Sequence, residues 1–261
     1  MSRMDFSLVD IAVPFRMQPG LRRLDASDPQ LTRLDETSAL YREKRAVMDA
    51  GQSRQAVPGF DPSAAIAAMR ERLPSDLPPE LAYEQDFAVL DGDSGTLEWL
   101  CVCVPSHWAP EDKIGLDFAA VHAPVADNKL LVSASAHLVN LATSGECWER
   151  FVWTVTPSGR YDQHPRRHAR EPWPAHLRGG EFANRCWLRA ERQTFFPVGA
   201  GARQSVFTIR VMLQPLAQAI AAPGAARKLH DALSTMSDPV LAYKGLAPAR
   251  DPLLGWLAER A

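Results

Sequence analysis

CWLRAERQTFF (residues 186–196) and QSVFTIRVML (residues 204–213) are the two runs that decide the fold. The second run is rich in β-branched and aromatic residues, which is typical of a buried strand. Residues 149–156 predict a third strand, and residues 83–90 and 96–104 predict a hairpin around the turn sequence DGDSG. Five strands in two clusters, interrupted by helical segments, indicate an α+β fold with a mainly antiparallel sheet.

Apolar residues recur at helical spacing on both sides of these strands. The spacing predicts helices over residues 35–50, 61–73 and 126–143, and a further helix after Pro215. The proline-containing first 30 residues predict an extended segment. We therefore expect a single domain over residues 1–261, with an N-terminal extended and helical segment to about residue 80 and a C-terminal helical tail from about residue 216.

The composition excludes several classes of function. The chain has 29 Lys and Arg residues against 31 Asp and Glu residues, a net charge of −2, so we do not expect a nucleic-acid partner, which requires a basic surface. No stretch of about 18 apolar residues is present, so we expect no membrane-spanning helix. The cysteines lack the spacing of metal sites and predict reduced core thiols in a cytoplasmic protein: Cys101, Cys103, Cys147 and Cys186.

Common cofactor and hydrolase motifs are absent from the sequence. We find no GxGxxG, no GxxxxGK[ST], no GxSxG and no HExxH. A dinucleotide-binding fold is therefore not expected, and any flavin or nicotinamide chemistry would have to come from another protein.

One predicted strand carries an unusual number of charged and polar side chains. Alternation along residues 187–194 places Arg189, Glu191 and Gln193 on one face of the strand and Arg192 on the other, with Leu188, Ala190 and Thr194. Two interpretations remain open for this pattern. It could be an exposed sheet face with cross-strand ion pairs, or a polar network inside a pocket, where Arg donates in a fixed geometry and Glu accepts protons.

Histidines supply the remaining candidates. His122 follows a predicted short helix and precedes Ala123-Pro124, which could direct its ring into a cavity. We expect His137 to be a core residue of the helix over 126–143. His164 and His168 lie in the arginine-rich segment 160–170, which predicts either a solvated basic loop or a docking surface for an acidic partner.

Several blocks of this sequence resemble one family of haem proteins. The blocks PFRMQPGLRRLD, EDKIGLDFAAVHAPV, LRAERQT and VFTIR, in this order along the chain, resemble blocks of the family that contains the α subunit of haem-dependent oxidative N-demethylase. This resemblance implies a PAS-like antiparallel sheet and haem b in its pocket. It also implies His122 as the axial ligand of the iron, with the other site residues as follows: Arg189, Glu191, Arg192 and Gln193 in catalysis, and Arg210, Trp153 and Phe207 at the haem.

The function that the resemblance implies is an oxidoreductase. It would remove a methyl group from a small methylated amine as formaldehyde, using O₂ and electrons from a separate flavin-type or ferredoxin-type donor protein. Two alternatives remain: a non-catalytic haem or gas sensor, and a PAS-like interaction module. The sequence departs from the family at Val152, where an amide is common, and at residues 195–197, so the amine stays open.

Overall fold

The computed structural model describes residues 4–25 and 27–261. Its strands form one antiparallel sheet in the order β1-β5-β6-β7-β3-β4-β2. The strands of the described residues are Arg22–Leu24 (β1), Arg54–Ala56 (β2), Asp86–Asp91 (β3), Leu97–Cys101 (β4), Cys147–Thr156 (β5), Trp187–Pro197 (β6) and Gln204–Pro215 (β7). The expected α+β class with a mainly antiparallel sheet is therefore confirmed.

Helices flank the sheet and fall into three groups along the chain. The first group comprises Ala39–Asp49 (α1), Ser63–Arg72 (α2) and Pro79–Ala82 (α3). The second lies between β4 and β5 and comprises Phe118–His122 (α4), Lys129–Ser133 (α5) and Ser135–Ala142 (α6). The third group comprises Gly179–Ala183 (α7), Leu216–Ala219 (α8), Ala225–Ser234 (α9), Asp238–Lys244 (α10) and Arg250–Ala258 (α11).

Strand β6 runs between β5 and β7 and divides its side chains between two faces of the sheet. Glu191 and Gln193 lie on one face, which we call the open face. Ala190 and Arg192 lie on the other, which we call the packed face. Phe195 lies on the open face with Glu191, and it pairs with Phe207 of β7, so Phe207 also lies on the open face.

The packed face carries the largest hydrophobic cluster of the described residues. The C-terminal helices α9 and α11 cover Ala190 and Met212, both of which are fully buried. The N-terminal segment adds Leu8 and Ile11 to the same cluster. Both ends of the chain therefore pack on this face of the sheet, and burial of apolar surface stabilises them there.

The helices between β4 and β5 differ in part from the expectation. Helix α4 ends at His122, as the sequence predicts. The single helix expected over 126–143 is two short helices, α5 and α6, separated at Ala134. His137 is exposed, on the side of α6 away from the buried Leu138, Val139 and Ala142, so the prediction of a core histidine is wrong.

Two further expectations concern the cysteines, predicted to be core thiols, and the helices, predicted not to span a membrane. All four cysteines are buried free thiols, as expected. Within the ranges 4–25 and 27–261, no helix combines the length and the apolar character needed to cross a membrane.

Candidate functional site

A continuous row of polar side chains crosses the open face. Arg189 Nε donates to Ser106 Oγ at 2.8 Å, and Ser106 Oγ donates to Glu191 Oε1. Gln193 Nε2 donates to Glu191 Oε2 at 2.7 Å, and Arg150 Nε donates to Gln193 Oε1 at 2.8 Å. We call these five residues the polar row. Alternation along β6 supplies three of them, and the pairing of Arg150 with Gln193 follows from the register of β5 on β6.

Glu191 is the acid at the centre of the polar row. It is 9% exposed, and both of its hydrogen-bond donors, Ser106 and Gln193, are neutral groups. Burial lowers the pKa of Arg150 and of Arg189, while the charge of Glu191 raises both pKa values. Glu191 is thus a buried acid that bonds neutral donors only, with two buried guanidinium groups within reach of its charge.

His122 ends α4, whose first turn is capped by Asp117 accepting from the amide of Ala120 at 2.8 Å. Nδ1 of His122 lies 2.8 Å from the carbonyl oxygen of Phe118, and the two rings stack at 4.1 Å. Because a carbonyl only accepts, Nδ1 carries the hydrogen and Nε2 keeps its lone pair. Nε2 makes no hydrogen bond to any residue that the structure describes.

The electrostatic surroundings keep the His122 imidazole neutral. Burial, with the positive charges of Arg150 and Lys113, lowers its pKa to about 4 despite the hydrogen bond to Phe118. Lys113 Nζ also donates to the carbonyl of Val121 at 2.9 Å, next to His122 in α4. A neutral imidazole with one free nitrogen is therefore placed near the Arg150 end of the polar row.

Aromatic side chains form the floor beside the polar row. Phe207 stacks on Phe195 with ring centroids 4.6 Å apart. Although β7 is a central strand, Phe207 is only partly buried, whereas its neighbours Val206 and Thr208 on the packed face are 0% and 1% exposed. The indole N–H of Trp148, opposite Phe195 in the sheet, is buried without a hydrogen-bond partner. The open face thus offers an apolar surface at Phe207 and Phe195 and one unused hydrogen-bond donor at Trp148.

The family described as "haem-dependent oxidative N-demethylase, alpha subunit-like" matches residues 80–254, about two-thirds of the chain. This chain belongs to that family. The match confirms the resemblance found in the sequence and includes β3 to β7 and α4. Haem dependence is part of the family's description, so the open face must be tested as a haem site.

The residues of the open face fit haem. Porphyrin supplies four ligands to the iron, so the protein needs to supply one, and His122 offers a neutral imidazole nitrogen. Its Nδ1–H bond to a backbone carbonyl is the arrangement that fixes a ligating imidazole. Phe207 and Phe195 offer an apolar surface, and Arg150 and Lys113 are cations whose charges act on His122. Among the described residues, no three His, Cys, Asp or Glu side chains form a site for a bare metal ion.

Three of the site residues expected from the sequence lie on the packed face instead. Nε of Arg192 donates to Glu149 Oε2, and Nη1 donates to the carbonyl of Pro29 at 2.9 Å. Arg210 Nε donates to Glu84 Oε2 at 2.6 Å, and Arg210 also bonds Asp5. The third residue, Trp153, packs edge-on against Phe15 in the large hydrophobic cluster. The structure therefore places Arg189, Glu191, Gln193 and Phe207 on one face, with His122 within electrostatic reach of Arg150, and separates Arg192, Arg210 and Trp153 from that face.

The arginine-rich segment 160–170 is less basic and less exposed than expected. Arg166 pairs with Glu111 at 2.5 Å and with Asp112 at 2.9 Å. Arg167 pairs with Asp162 at 2.8 Å, and His164 is 3% exposed. The acids at 111–112 are some 50 residues away in the sequence, so a count of charges within the loop does not include them. The interpretation as a solvated loop is wrong for residues 161–164, which are buried, and the docking interpretation loses two of its cations.

Proposed function

We propose that this protein is a haem-dependent oxidoreductase that demethylates a small methylated amine. In this proposal haem b would lie against the open face, and Nε2 of His122 would bind its iron. One observation carries the proposal: a neutral imidazole with a fixed tautomer, whose Nε2 bonds no described residue, lies within electrostatic reach of Arg150 in the polar row. Phe207 and Phe195 would contact the porphyrin, and Arg150 and Lys113 would pair with its propionates.

Bound haem supplies the activation of O₂, and the chain supplies the binding and orientation of the amine. A methylated amine is a cation at neutral pH, and Glu191 is the acid of the polar row. Its two oxygens are fixed by Ser106 and Gln193, so the direction of its attraction is fixed as well. Glu191 thus binds the ammonium group and takes its proton, which frees the nitrogen lone pair before the neighbouring C–H bond is oxidised.

Arg189 and Gln193 act through Glu191 rather than on the amine. The guanidinium of Arg189 has three acceptors: Ser106 Oγ, the carbonyl of Val104 at 3.1 Å and the carbonyl of Arg160 at 3.3 Å. It is 2% exposed, so it holds Ser106 in place and has no free edge for a substrate. Both Arg189 and Gln193 are therefore positioning residues in this proposal, and Arg192 no longer belongs to the catalytic set.

The reaction requires two electrons that this chain has no motif to supply. We infer a separate flavin-type or ferredoxin-type donor protein, in line with a family described as an alpha subunit. The PAS-like assignment, the single domain and a cytoplasmic location belong to the same proposal. Support comes from the five central antiparallel strands with α4 to α6 inserted between β4 and β5, and from the four free thiols, which suit a reducing compartment.

Haem titration followed by a formaldehyde assay tests the proposal. We expect the full chain to give a Soret band with haem, His122→Ala to lose most of it, and the exposed His137→Ala to keep it as the matched control. With a surrogate electron donor and a panel of mono-, di- and trimethylated amines, the wild type should release formaldehyde. Glu191→Gln should keep the Soret band and lose turnover.

Two results would overturn parts of this proposal. An unchanged spectrum in His122→Ala would remove the axial assignment. A normal haem spectrum without formaldehyde from any amine would favour the haem-sensor alternative.

A further inference from the structure

Trp148 carries a hydrogen-bond donor that the proposed function does not use. Its indole Nε1 is buried, and no described residue accepts its hydrogen. The ring packs on the open face against the hydrophobic cluster of Leu90, Ala142 and Phe195. Buried donors in folded proteins almost always have a partner. An acceptor on a bound molecule would therefore complete the hydrogen bonding of Trp148.

Arg150 lies two residues further along β5, on the same face as Trp148. Such residues of a strand are about 7 Å apart and share a face, and the register of β5 on β6 places both side chains on the open face. The N-terminal segment borders both of them. The carbonyl of Pro19 lies 3.4 Å from Nη1 of Arg150, and Leu21 packs in the cluster of Trp148. Trp148 and Arg150 are therefore neighbours on the open face.

Arg150 is a partly buried cation with neutral partners. Its Nε donates to Gln193 Oε1 at 2.8 Å, and its Nη1 donates to the carbonyl of Pro19. The amide of Gln193 separates Arg150 from Glu191, because Nε2 of the same amide bonds the Glu191 carboxylate. Nη2 of Arg150 has no acceptor among the residues that the structure describes. A guanidinium in this state favours an anion beside it, since a charge-assisted bond would replace the water that burial removes.

The other charged groups beside Trp148 neutralise each other. Arg23 of β1 is opposite Trp148 in the sheet and pairs with Glu146 at 2.6 Å. Their side chains are 64% and 46% exposed, so solvent screens this pair. Within residues 4–25 and 27–261, Arg150 is therefore the cation next to Trp148 that has no bonded acid.

We propose that Trp148 and Arg150 together bind one propionate carboxylate of the haem, the indole through Nε1–H and the guanidinium through Nη2. The inference rests on the proposed function for the presence of haem, and it adds Trp148 to the site. A carboxylate has two oxygens that accept hydrogen bonds, and it brings the negative charge that Arg150 lacks. A carboxylate on the substrate, as in N-methylglycine, has the same chemistry, so the experiment must separate the two sources.

Haem and its dimethyl ester, which has no free carboxylate, test the pair directly. Each is titrated into the full chain in the same dilute detergent, and the Soret absorbance gives the dissociation constant. Trp148→Phe should weaken the binding of haem about tenfold, the effect of one hydrogen bond to a charged group, and leave the binding of the ester unchanged. Trp173→Phe is the matched control, because its indole N–H already bonds the carbonyl of Gly245 at 2.8 Å, and it should change neither constant.

Arg150→Met tests the second member of the pair. It should weaken the binding of haem at least tenfold and that of the ester much less. Trp148→Phe added to Arg150→Met should cost less haem affinity than it costs in the wild type, because both side chains bind the same carboxylate.

The indole N–H signals in NMR spectra give a readout that needs no turnover. The chain has seven tryptophans, so ¹⁵N labelling gives few indole signals, and Trp148→Phe identifies that of Trp148. Zinc protoporphyrin is diamagnetic, and its ring current is the same as that of its dimethyl ester. We expect the Trp148 signal to lie further downfield with the acid than with the ester, because only the acid offers the negative acceptor.

Three outcomes would decide against the proposal. Equal losses of affinity for haem and ester in Trp148→Phe, or one position of the indole signal with both porphyrins, would overturn it even if the protein releases formaldehyde. A Trp148 signal that N-methylglycine moves, in a protein that binds the ester as tightly as haem, would assign the pair to a substrate carboxylate instead. A tenfold effect confined to haem, with no formaldehyde from any amine, would support the pair and count against the proposed function alone.

Discussion

Replacing Arg192 with Met should destabilise the protein while leaving the open face unchanged. Arg192 lies on the packed face, where its guanidinium bonds Glu149 and the carbonyl of Pro29. Met retains much of the aliphatic volume of Arg and removes the charge. The substitution therefore tests the ion pair on the packed face rather than packing in general.

The size of the expected loss in stability follows from the burial of the ion pair between Arg192 and Glu149. The side chain of Glu149 is 1% exposed and that of Arg192 is 13% exposed. Loss of one partner of a buried pair costs about 3–5 kcal/mol, since the other charge stays in the protein. Arg22 also contacts Glu149, but its side chain is 69% exposed and compensates only in part. We expect a loss of about 3 kcal/mol in the free energy of unfolding, which lowers the Tm by roughly 6–12 °C for a chain of this size.

Urea and thermal unfolding of three variants measure this effect. Arg22→Met should cost less than about 1 kcal/mol, because it removes the exposed partner of the same acid. Glu191→Gln should cost no more than about 1.5 kcal/mol, since it alters hydrogen bonds to neutral groups, yet it should abolish formaldehyde release. If Arg192→Met unfolds like the wild type and loses turnover as Glu191→Gln does, the division of β6 into two faces is wrong.

Two further predictions concern pH and backbone conformation. Burial alone would raise the pKa of Glu80, but the hydrogen bond from Arg54 lowers it to about 2 from an ordinary 4.5. Because the unfolded chain binds this proton more tightly, the ionised Glu80 should contribute about 3 kcal/mol of stability above pH 4.5, and this contribution should be lost as the pH falls towards 2. Urea unfolding of Glu80→Gln should show no such loss. Gly245→Ala should destabilise the protein more than Gly51→Ala. Both glycines have φ +67°, where an alanine costs about 1 kcal/mol, but only at Gly245 would the new Cβ also meet Arg170. Equal urea midpoints for the two variants would contradict that contact.

The long strands could be predicted from the sequence, and the short ones could not. β5, β6 and β7 lie within two residues of their expected bounds because their β-branched and aromatic composition persists over many residues. β1 and β2 have three residues each, RRL and RQA, which is too short for a periodic pattern. They are extended because they pair with β5 and β4, a tertiary effect that no local sequence carries.

The polar row was partly predictable for a similar reason. Alternation alone places Arg189, Glu191 and Gln193 on one face. Arg150 lay inside a predicted strand, but its position beside Gln193 depends on the register of β5 against β6. Ser106 reaches Glu191 from the loop after β4, and nothing in the sequence around it indicates that contact. Long-range register and loop placement therefore account for the residues that the sequence did not reveal.

A motif in a strand combines residues that serve the site with residues that serve the fold. In ERQT, Glu191 and Gln193 face the open side, whereas Thr194 faces the packed side and its Oγ1 lies 2.7 Å from Oγ1 of Thr208 on β7. In FTIR the same alternation separates Phe207 from Thr208 and Arg210. Side chains in a strand alternate between the two faces of the sheet with a period of two. A site on one face can therefore use at most every second residue of a motif that lies in a strand. Strand parity alone shows that Arg192 cannot share a face with Glu191, nor Arg210 with Phe207; the register of β6 on β7 then places Glu191 and Phe207 on the same face.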